Sequence, residues 1–501
     1  MSAGGNVPHR LPTGIAGLDQ IMLGGLPAER PTLVSGTAGG GKTVFGLQFL
    51  SEGIRQFSEP GVFVTFEEST GDLRQSGASL GFGIQGWEDE GLWVFVDAAP
   101  VAIEDDMVVG SYDFGALVAR IDHAVKRIGA KRVCLDSLGA VYDRFRDPST
   151  VRLELFKVAS ALKAMGVTSL LTVERPEEFG PISRLGVEEF VADNVLVLRN
   201  VLEREKRRRT IEVLKFRGQP HRSGEWLFTI VDGEGIVVIP LSLMALRPHA
   251  SEERVTTGNH VLDRMCSGGF YRDSVVIVSG PTGSGKTLMT SEFVAASAAS
   301  GERCVLLSFE ESLEQLMRNA SSWGIDLAAL ERTGKLKIIC EYPEVASLED
   351  HFVAMKEVIE EFDPQRVAID NLSALERIST GRGIRDFIIG LASFLKQGEI
   401  TSLITSTTTT LLGGPSVTES HISTLADGII LLRYVEYQSE VRRGVVVLKM
   451  RGAAHDKQIL EYTIDDHGLH IGEPFHGLSG ILGLTRSVSA ELEFGGPSNL
   501  G

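Results

Sequence analysis

Two stretches of this chain carry the residue types and spacing that phosphate chemistry requires. Gly36, Thr37, Ala38, Gly39, Gly40, Gly41, Lys42 and Thr43 fit the pattern G-x-x-x-x-G-K-[ST], and so do Gly280, Pro281, Thr282, Gly283, Ser284, Gly285, Lys286 and Thr287. Between a strand and a helix, such a loop wraps backbone N–H groups around nucleotide phosphates, the helix N-terminus favours their charge, and the lysine reaches the β/γ oxygens. Thr43 and Thr287 supply hydroxyls for Mg²⁺. Asp136 and Asp370 each end an apolar run and are candidates for the second Mg²⁺-directing group. Glu67 and Glu68, like Glu310 and Glu311, lie in a Phe-Glu-Glu-Ser segment. A carboxylate there can orient a water, or accept a hydroxyl proton, during attack on a γ-phosphate. A flexible glycine turn and a solvated acidic turn are the plainer readings, and recurrence of both segments in the same order argues against them.

The recurrence is general, because the sequence is written twice. Leu11-Pro-Thr-Gly-Ile-Ala-Gly-Leu-Asp returns as Val255-Thr-Thr-Gly-Asn-His-Val-Leu-Asp. The step from Gly36 to Gly280 is 244 residues, and from Asp136 to Asp370 it is 234. The first copy therefore carries about ten extra residues near Ala98–Tyr112. Repeats this long predict tandem domains rather than a solenoid. Residues 1–246 form the first, 247–485 the second, and 486–501 a disordered tail. The elements that must position the chemistry are buried strands at Pro31–Ser35, Val62–Phe66, Leu92–Val96, Arg132–Leu135 and Val167–Val173, alternating with helices such as Thr43–Phe57 and Leu153–Met165. That alternation predicts an α/β fold with a mostly parallel sheet flanked by helices, closed by hairpin strands at Ile211–Phe216 and Leu227–Val231.

The 501 residues include 49 basic and 66 acidic side chains, a formal charge of −17. Counterion release needs clustered Lys/Arg, so general nucleic-acid binding is disfavoured. No apolar run approaches the ~18 residues of a membrane helix and the start lacks a signal-peptide core, which excludes a membrane or secreted protein. Cys134, Cys266, Cys304 and Cys340 are far apart without C-x-x-C spacing. A reducing cytoplasm fits them better than zinc or disulfides.

Cationic pairs also repeat: Lys215-Phe-Arg217-Gly and Lys449-Met-Arg451-Gly, preceded by the basic run Arg204–Arg209 and by Arg442-Arg443. They can be solvated faces, nucleic-acid contacts, or arginine fingers reaching a neighbouring subunit's γ-phosphate, which implies a closed ring. Trp323 can cover an adenine ring or pack a helix end.

The paired phosphate loops, both Phe-Glu-Glu-Ser segments and Ser420-His-Ile-Ser423-Thr424 together resemble the circadian clock protein KaiC family, over about residues 10–485. The resemblance implies two RecA-like domains per chain and a two-tiered homohexamer with ATP at subunit interfaces. It implies an ATPase in the first domain and a serine/threonine autokinase in the second. Ser423 and Thr424 would be phosphorylated and dephosphorylated, with Thr418 a further matching hydroxyl. A step of 234 residues back from Ser423 and Thr424 reaches Glu189 and Phe190, so only the second copy has acceptor hydroxyls. By resemblance, Glu67 and Glu68 are the first domain's catalytic carboxylates and Glu310 and Glu311 the second's, Glu310 acting as general base and lying near Mg²⁺. Ser79 and Trp323 take nucleotide-proximal positions. Lys215, Phe216, Arg217, His221, Arg443, Lys449, Met450, Arg451 and Asp456 match contacts made across the interface. Tyr112–Ala124 resembles the surface used by KaiB, whereas the short tail after Ile471 argues against a KaiA-like activator. A DNA-handling RecA-like motor and an ATP-held signalling scaffold are the competing functions.

Overall fold

The computed structural model describes residues 9–99, 113–142, 147–183, 191–203, 205–240, 251–408, 425–437 and 440–475. They divide into two compact units, Met1–Leu243 and Met244–Gly501. Ser423, Thr424 and Thr418, the tail from 486, and positions 100–112 of the extra segment lie outside the described residues.

The first unit opens with a ribbon of β1 (Arg10–Leu11) and β2 (Leu26–Pro27). Its sheet comprises β3 (Pro31–Gly36), β4 (Gly61–Thr65), β5 (Trp93–Asp97), β6 (Arg132–Asp136), β7 (Thr168–Glu174), β8 (Asn194–Glu203), β9 (Lys206–Phe216), β10 (Glu225–Val231) and β11 (Gly235–Ile239). The order is β11-β10-β9-β8-β3-β7-β6-β4-β5. β8 to β5 run parallel, and β9 to β11 are antiparallel.

The second unit repeats this plan. After a ribbon of β12 (Arg254–Val255) and β13 (Phe270–Tyr271) come β14 (Val275–Gly280), β15 (Cys304–Ser308), β16 (Leu336–Cys340), β17 (Arg366–Asp370), β18 (Thr401–Thr407), β19 (Gly428–Tyr437), β20 (Glu440–Met450), β21 (Leu460–Asp465) and β22 (Gly468–Pro474). Their order, β16-β15-β17-β18-β14-β19-β20-β21-β22, is the first sheet's order strand for strand. β7 and β18 stand 233 residues apart (Ser169, Ser402), against 234 for Asp193 and Asp427. One extra residue thus lies between Thr407 and Asp427, in the stretch that holds Ser423 and Thr424.

Strand residues alternate between the two faces, which sorts the core into layers. In the first unit Val34, Phe63 and Cys134 join the cluster containing Phe45, Leu47 and Phe49 of helix Lys42–Phe57. Leu33, Val62, Val64, Val133 and Leu135 face the opposite cluster, with Ile121 and Leu155 from helices Phe114–Ile128 and Pro148–Ala164. Asp113 caps the first of these helices by accepting from Ala116 N–H at 3.1 Å. The repeated Thr-Gly…Leu-Asp segment is structural: Asp19 accepts from Thr13 N–H at 2.9 Å, and Asp263 from Thr257 N–H at 2.7 Å. Buried Arg132 bridges Glu59 at 2.7 Å and Arg366 bridges Glu302 at 2.6 Å, each also donating to the carbonyls of that opening turn.

One exchange between the copies leaves an electrostatic mark. Gln48 on the first phosphate-loop helix accepts from Ile236 N–H at 2.6 Å and donates to Glu234 O and Ile236 O. The same place in the second holds Glu292, which accepts from Leu469 N–H at 2.8 Å while its Oε2 is buried without a hydrogen bond. Burial pushes this carboxyl from 4.5 up to about 7, against the opposing pull of Leu469 N–H, Asn259 and His470. The folded domain therefore keeps a proton that the unfolded chain has released. This contribution to stability is full below pH 4.5 and is lost as pH rises to about 7. Glu292→Gln is expected to protect helix Lys286–Ala299 from hydrogen exchange more at pH 8 than at pH 5, the gap between variant and parent widening by up to about 3 kcal/mol. A gap independent of pH would show that Glu292 is ionised throughout.

Candidate nucleotide sites

Each phosphate loop follows a central strand and opens a helix. Gly41 and Gly285 cap those helices at φ of 94° and 91°. L side chains rarely adopt this conformation, and a Cβ at Gly285 would stand 2.7 Å from Ile464. Lys42 Nζ donates to Gly36 O at 3.0 Å and Thr37 O at 2.9 Å; Lys286 Nζ donates to Gly280 O and Pro281 O, both at 3.0 Å. Burial lowers both lysine pKa values, opposed for Lys42 by Glu174, Asp136, Glu67 and Glu178 and for Lys286 by Asp370 and Glu310.

Parallel pairing brings the acids to these loops. Asp136 and Asp370 end β6 and β17, buried, and accept from the hydroxyls of Thr172 and Thr405. The chain leaves β4 through Phe66, whose N–H donates to Asp136 O at 3.0 Å, and leaves β15 through Phe309, whose N–H donates to Asp370 O at 2.8 Å. Glu67 Oε1 then lies 3.5 Å from Ser137 Oγ, and Glu68 Oε1 lies 3.5 Å from Thr43 Oγ1. Glu311 accepts from Asn319 Nδ2 at 3.1 Å. Burial, with Asp136 nearby, raises Glu67 and Glu68; burial also raises Glu311, reinforced by Asp370 and Glu310. The serines of both Phe-Glu-Glu-Ser segments are helix caps: Ser69 accepts from Asp72 N–H and Ser312 from Gln315 N–H. Thr43 with Asp136, and Thr287 with Asp370, are the oxygen donors that could hold Mg²⁺.

Residues missed by sequence reasoning brace the loops. Glu178 accepts from Thr37 Oγ1 at 2.5 Å and from Asn200 N–H at 3.0 Å, while Asn200 Nδ2 donates to Gly39 O at 3.3 Å. In the second domain Tyr434 Oη donates to Thr282 O at 3.2 Å and Tyr462 Oη to Ser284 O at 2.5 Å. A cavity of about 620 Å³ beside the first loop is walled by Thr37, Glu67, Glu174, Glu177 and Glu178, with Arg175 and Arg207 among its lining.

The repeated cationic motifs stand elsewhere. Phe216 pairs with Asn194 and Met450 with Gly428, at the strand ends opposite the phosphate loops. Lys215 Nζ donates to Ala192 O at 2.9 Å and Arg217 lies 3.4 Å from Asp193; Lys449 Nζ donates to Ala426 O at 2.8 Å and Arg451 lies 3.6 Å from Asp427. His221 packs on Phe216 with centroids 5.6 Å apart, and Asp456 N–H donates to Met265 O at 2.9 Å. Arg443 departs from this group: it pairs with Tyr434 and lies over its ring, on the side of its own loop. Ser79 is exposed at a helix end, its hydroxyl on Ser76 O, and Trp323 caps the matching helix, half-buried against the core. No described helix is long and apolar enough to cross a membrane.

Two glycine-rich phosphate loops, each at the mouth of a mostly parallel nine-stranded sheet with acids on the neighbouring strands, define a tandem RecA-like P-loop ATPase. The family described as "ATPase: KaiC" matches residues 11–242 and again 255–475. The chain is 56% identical over 485 residues to circadian clock protein KaiC3 of Synechocystis sp., covering 97% of this chain and 96% of that protein. It is 50% identical over 473 residues to circadian clock oscillator protein KaiC of Thermostichus vulcanus (94% and 91% covered), and 49% over 483 residues to that of Prochlorococcus marinus (96% and 96%). The chain belongs to the KaiC family of nucleotide-binding ATPases.

Thr405→Val keeps the side-chain volume and removes the hydroxyl on Asp370. The expected outcome is an unchanged fold and a roughly 10- to 100-fold weaker Mg²⁺ requirement curve for second-domain nucleotide binding. A Mg²⁺ titration of ATP binding checks it; an unshifted curve removes Asp370 from the metal's surroundings.

Proposed function

We propose that the chain is a homohexameric timer of the KaiC type, whose first domain hydrolyses ATP and whose second phosphorylates and dephosphorylates its own Ser423 and Thr424. The loops fit a nucleotide triphosphate with Mg²⁺. Lys42 and Lys286 address the β/γ oxygens, and Thr43, Thr287, Asp136 and Asp370, with Glu310 nearby, hold the ion. When bound, the ion neutralises charge on the transferring phosphoryl group. Glu67 and Glu68 orient a water in the first site. Glu310, with Glu311 beside it, takes the proton from an acceptor hydroxyl in the second.

The observation that carries the ring is the separation of each Lys-x-Arg pair from its own phosphate loop. Lys215 pairs at the level of Val195 and Leu33, three residues before Gly36, or about 10 Å at 3.3 Å per residue, and its side chain points further away. Such cations serve a site on a neighbouring copy, and the carboxylate-walled cavity beside Thr37 has the complementary charge. A head-to-tail contact of this kind closes into a ring. The first-domain segment Tyr112–Ala124, which runs into helix Phe114–Ile128, is the surface offered to a KaiB-like partner.

Phosphopeptide mapping after incubation with Mg-ATP tests the reading, using Glu310→Gln chains and Ser423→Ala/Thr424→Ala chains. Neither variant alone should carry phosphate at these positions. Mixed and allowed to exchange subunits, they should place phosphate on Ser423 or Thr424 of the Glu310→Gln chains, because the base and the hydroxyl then come from different subunits. ATP hydrolysis by the parent with no phosphate on either residue would sink the kinase assignment.

A further inference from the structure

Behind the acids of the second domain lies a polar pair whose two positions hold apolar residues in the first. His351 stands on helix Leu348–Phe362 and is 2% exposed. Its Nε2 is 3.0 Å from Pro343 O. A carbonyl only accepts, so this nitrogen carries a proton. Nδ1 faces Glu341 Oε2 at 3.3 Å. The ring meets Phe309 edge-on, with centroids 5.5 Å apart and planes at 85°. Phe309 directly precedes Glu310, and its own N–H is tied to Asp370 O. One imidazole therefore joins the exit of β15, the exit of β16 and the turn Pro343–Val345.

Among the described residues, the first domain has apolar side chains at these positions. Ala98 occupies the place of Glu341, since Ala98 N–H donates to Thr65 O as Glu341 N–H donates to Ser308 O. Leu117 occupies the place of His351 on helix Phe114–Ile128, and Phe66 that of Phe309. All three first-domain residues are buried in one apolar cluster. Burying an imidazole costs desolvation that leucine avoids, so the fold does not require it. A cavity of about 40 Å³ lined by Ser308, Phe309, Glu341, His351 and Met355 lies beside the pair. Phe309 thus meets a buried imidazole where Phe66 shares its cluster with Leu117 and Ala98.

We propose that His351 is a positioning residue for the second site, acting with Glu341 through Phe309 to fix where Glu310 stands. The inference rests on the reading of Glu310 as the base for a protein hydroxyl. A water can refill any position near an oriented carboxylate, whereas a side-chain hydroxyl arrives at one point and the base must already be there.

The test is the initial rate of phosphate incorporation into Ser423 and Thr424 of the full chain against ATP concentration. The Glu341→Ala/His351→Leu variant copies the first domain's residues. It is expected to melt near the parent's temperature and to keep KM for ATP and first-domain hydrolysis. Its maximal incorporation rate should fall roughly 10- to 100-fold, the scale of a small misplacement of a catalytic group. His351→Gln, which retains a donor for Pro343 O, should recover most of the rate. A folded double variant that incorporates phosphate at the parent's rate overturns the proposal. Should the double variant not fold, equal rates for His351→Leu and His351→Gln overturn it as well. A parent that hydrolyses ATP but carries no phosphate on either hydroxyl overturns the kinase reading and this inference with it, whereas an active parent with an indifferent variant overturns only the inference.

Discussion

The parallel register about β3 and β14 is the constraint on which both sites depend. Gly36 pairs with Glu174, Thr65 with Asp136, and the strand ends therefore finish level. That levelling puts the phosphate loop, the buried aspartate and the glutamate pair on one edge. A slip of one residue would turn Asp136 into the helix-covered core and Leu135 toward the phosphates. The same pairing separates the machinery. β8 runs with β3, but β9 returns against it and carries Lys215 to Arg217 to the opposite edge. Loop and acids sit at one end of a domain and the paired cations at the other, as a direct consequence of one antiparallel turn.

On this shared backbone the two copies differ where side chains touch the phosphate loop, its helix or the acids. Asn200 is exchanged for Tyr434, Phe228 for Tyr462, Gln48 for Glu292, and Leu117 for His351. A buried phenol needs a partner, and Tyr462 finds Ser284 O, while half-buried Tyr434 reaches Thr282 O. The first loop is instead braced by a carboxylate, Glu178. Lys42 consequently feels Glu174, Asp136, Glu67 and Glu178, while Lys286 feels Asp370 and Glu310. The conserved pairs within the chain are of another kind: Asp19 and Asp263, Arg132 and Arg366, Thr172 and Thr405 hold the frame. Duplication has kept the frame, the lysine and threonine of each loop and the acids, and has altered the side chains packed around them.

Much of the frame was readable because fully buried parallel strands are continuous apolar runs with sharp ends. The strand read at Pro31–Ser35 ends one residue later, and that at Arg132–Leu135 likewise. Where exposed residues take part, the reading fell short. Helix Pro148–Ala164 starts five residues before Leu153, because its beginning is set by the Asp147 cap and Pro148 rather than by Leu153, which is 55% exposed. β9 begins at Lys206 inside the basic run, where charge hides the alternation. In the sites, contiguous motifs were legible and register-dependent partners were not. Glu178, Asn200 and Tyr434 reach the loops only through strand pairing. Thr172 and Thr405 did leave a signal, since they occupy the same position of β7 and β18.

The cations at the far edge show how a weak contact can matter. Arg217 is paired with Asp193 at 3.4 Å with its side chain 63% exposed, and Arg451 with Asp427 at 3.6 Å and 53% exposed. Exposed pairs of this sort contribute about 0–1 kcal/mol, too little to be kept for stability. Asp193 is also held by Arg30 at 3.0 Å and Asp427 by Lys396 at 2.7 Å, so each aspartate keeps a closer partner if its arginine leaves. Each guanidinium meets its aspartate at long range, and a phosphate group, with more charge and a matching fork of oxygens, competes favourably with that carboxylate. The aspartates therefore hold these arginines loosely, which is the property the proposed ring would need of them.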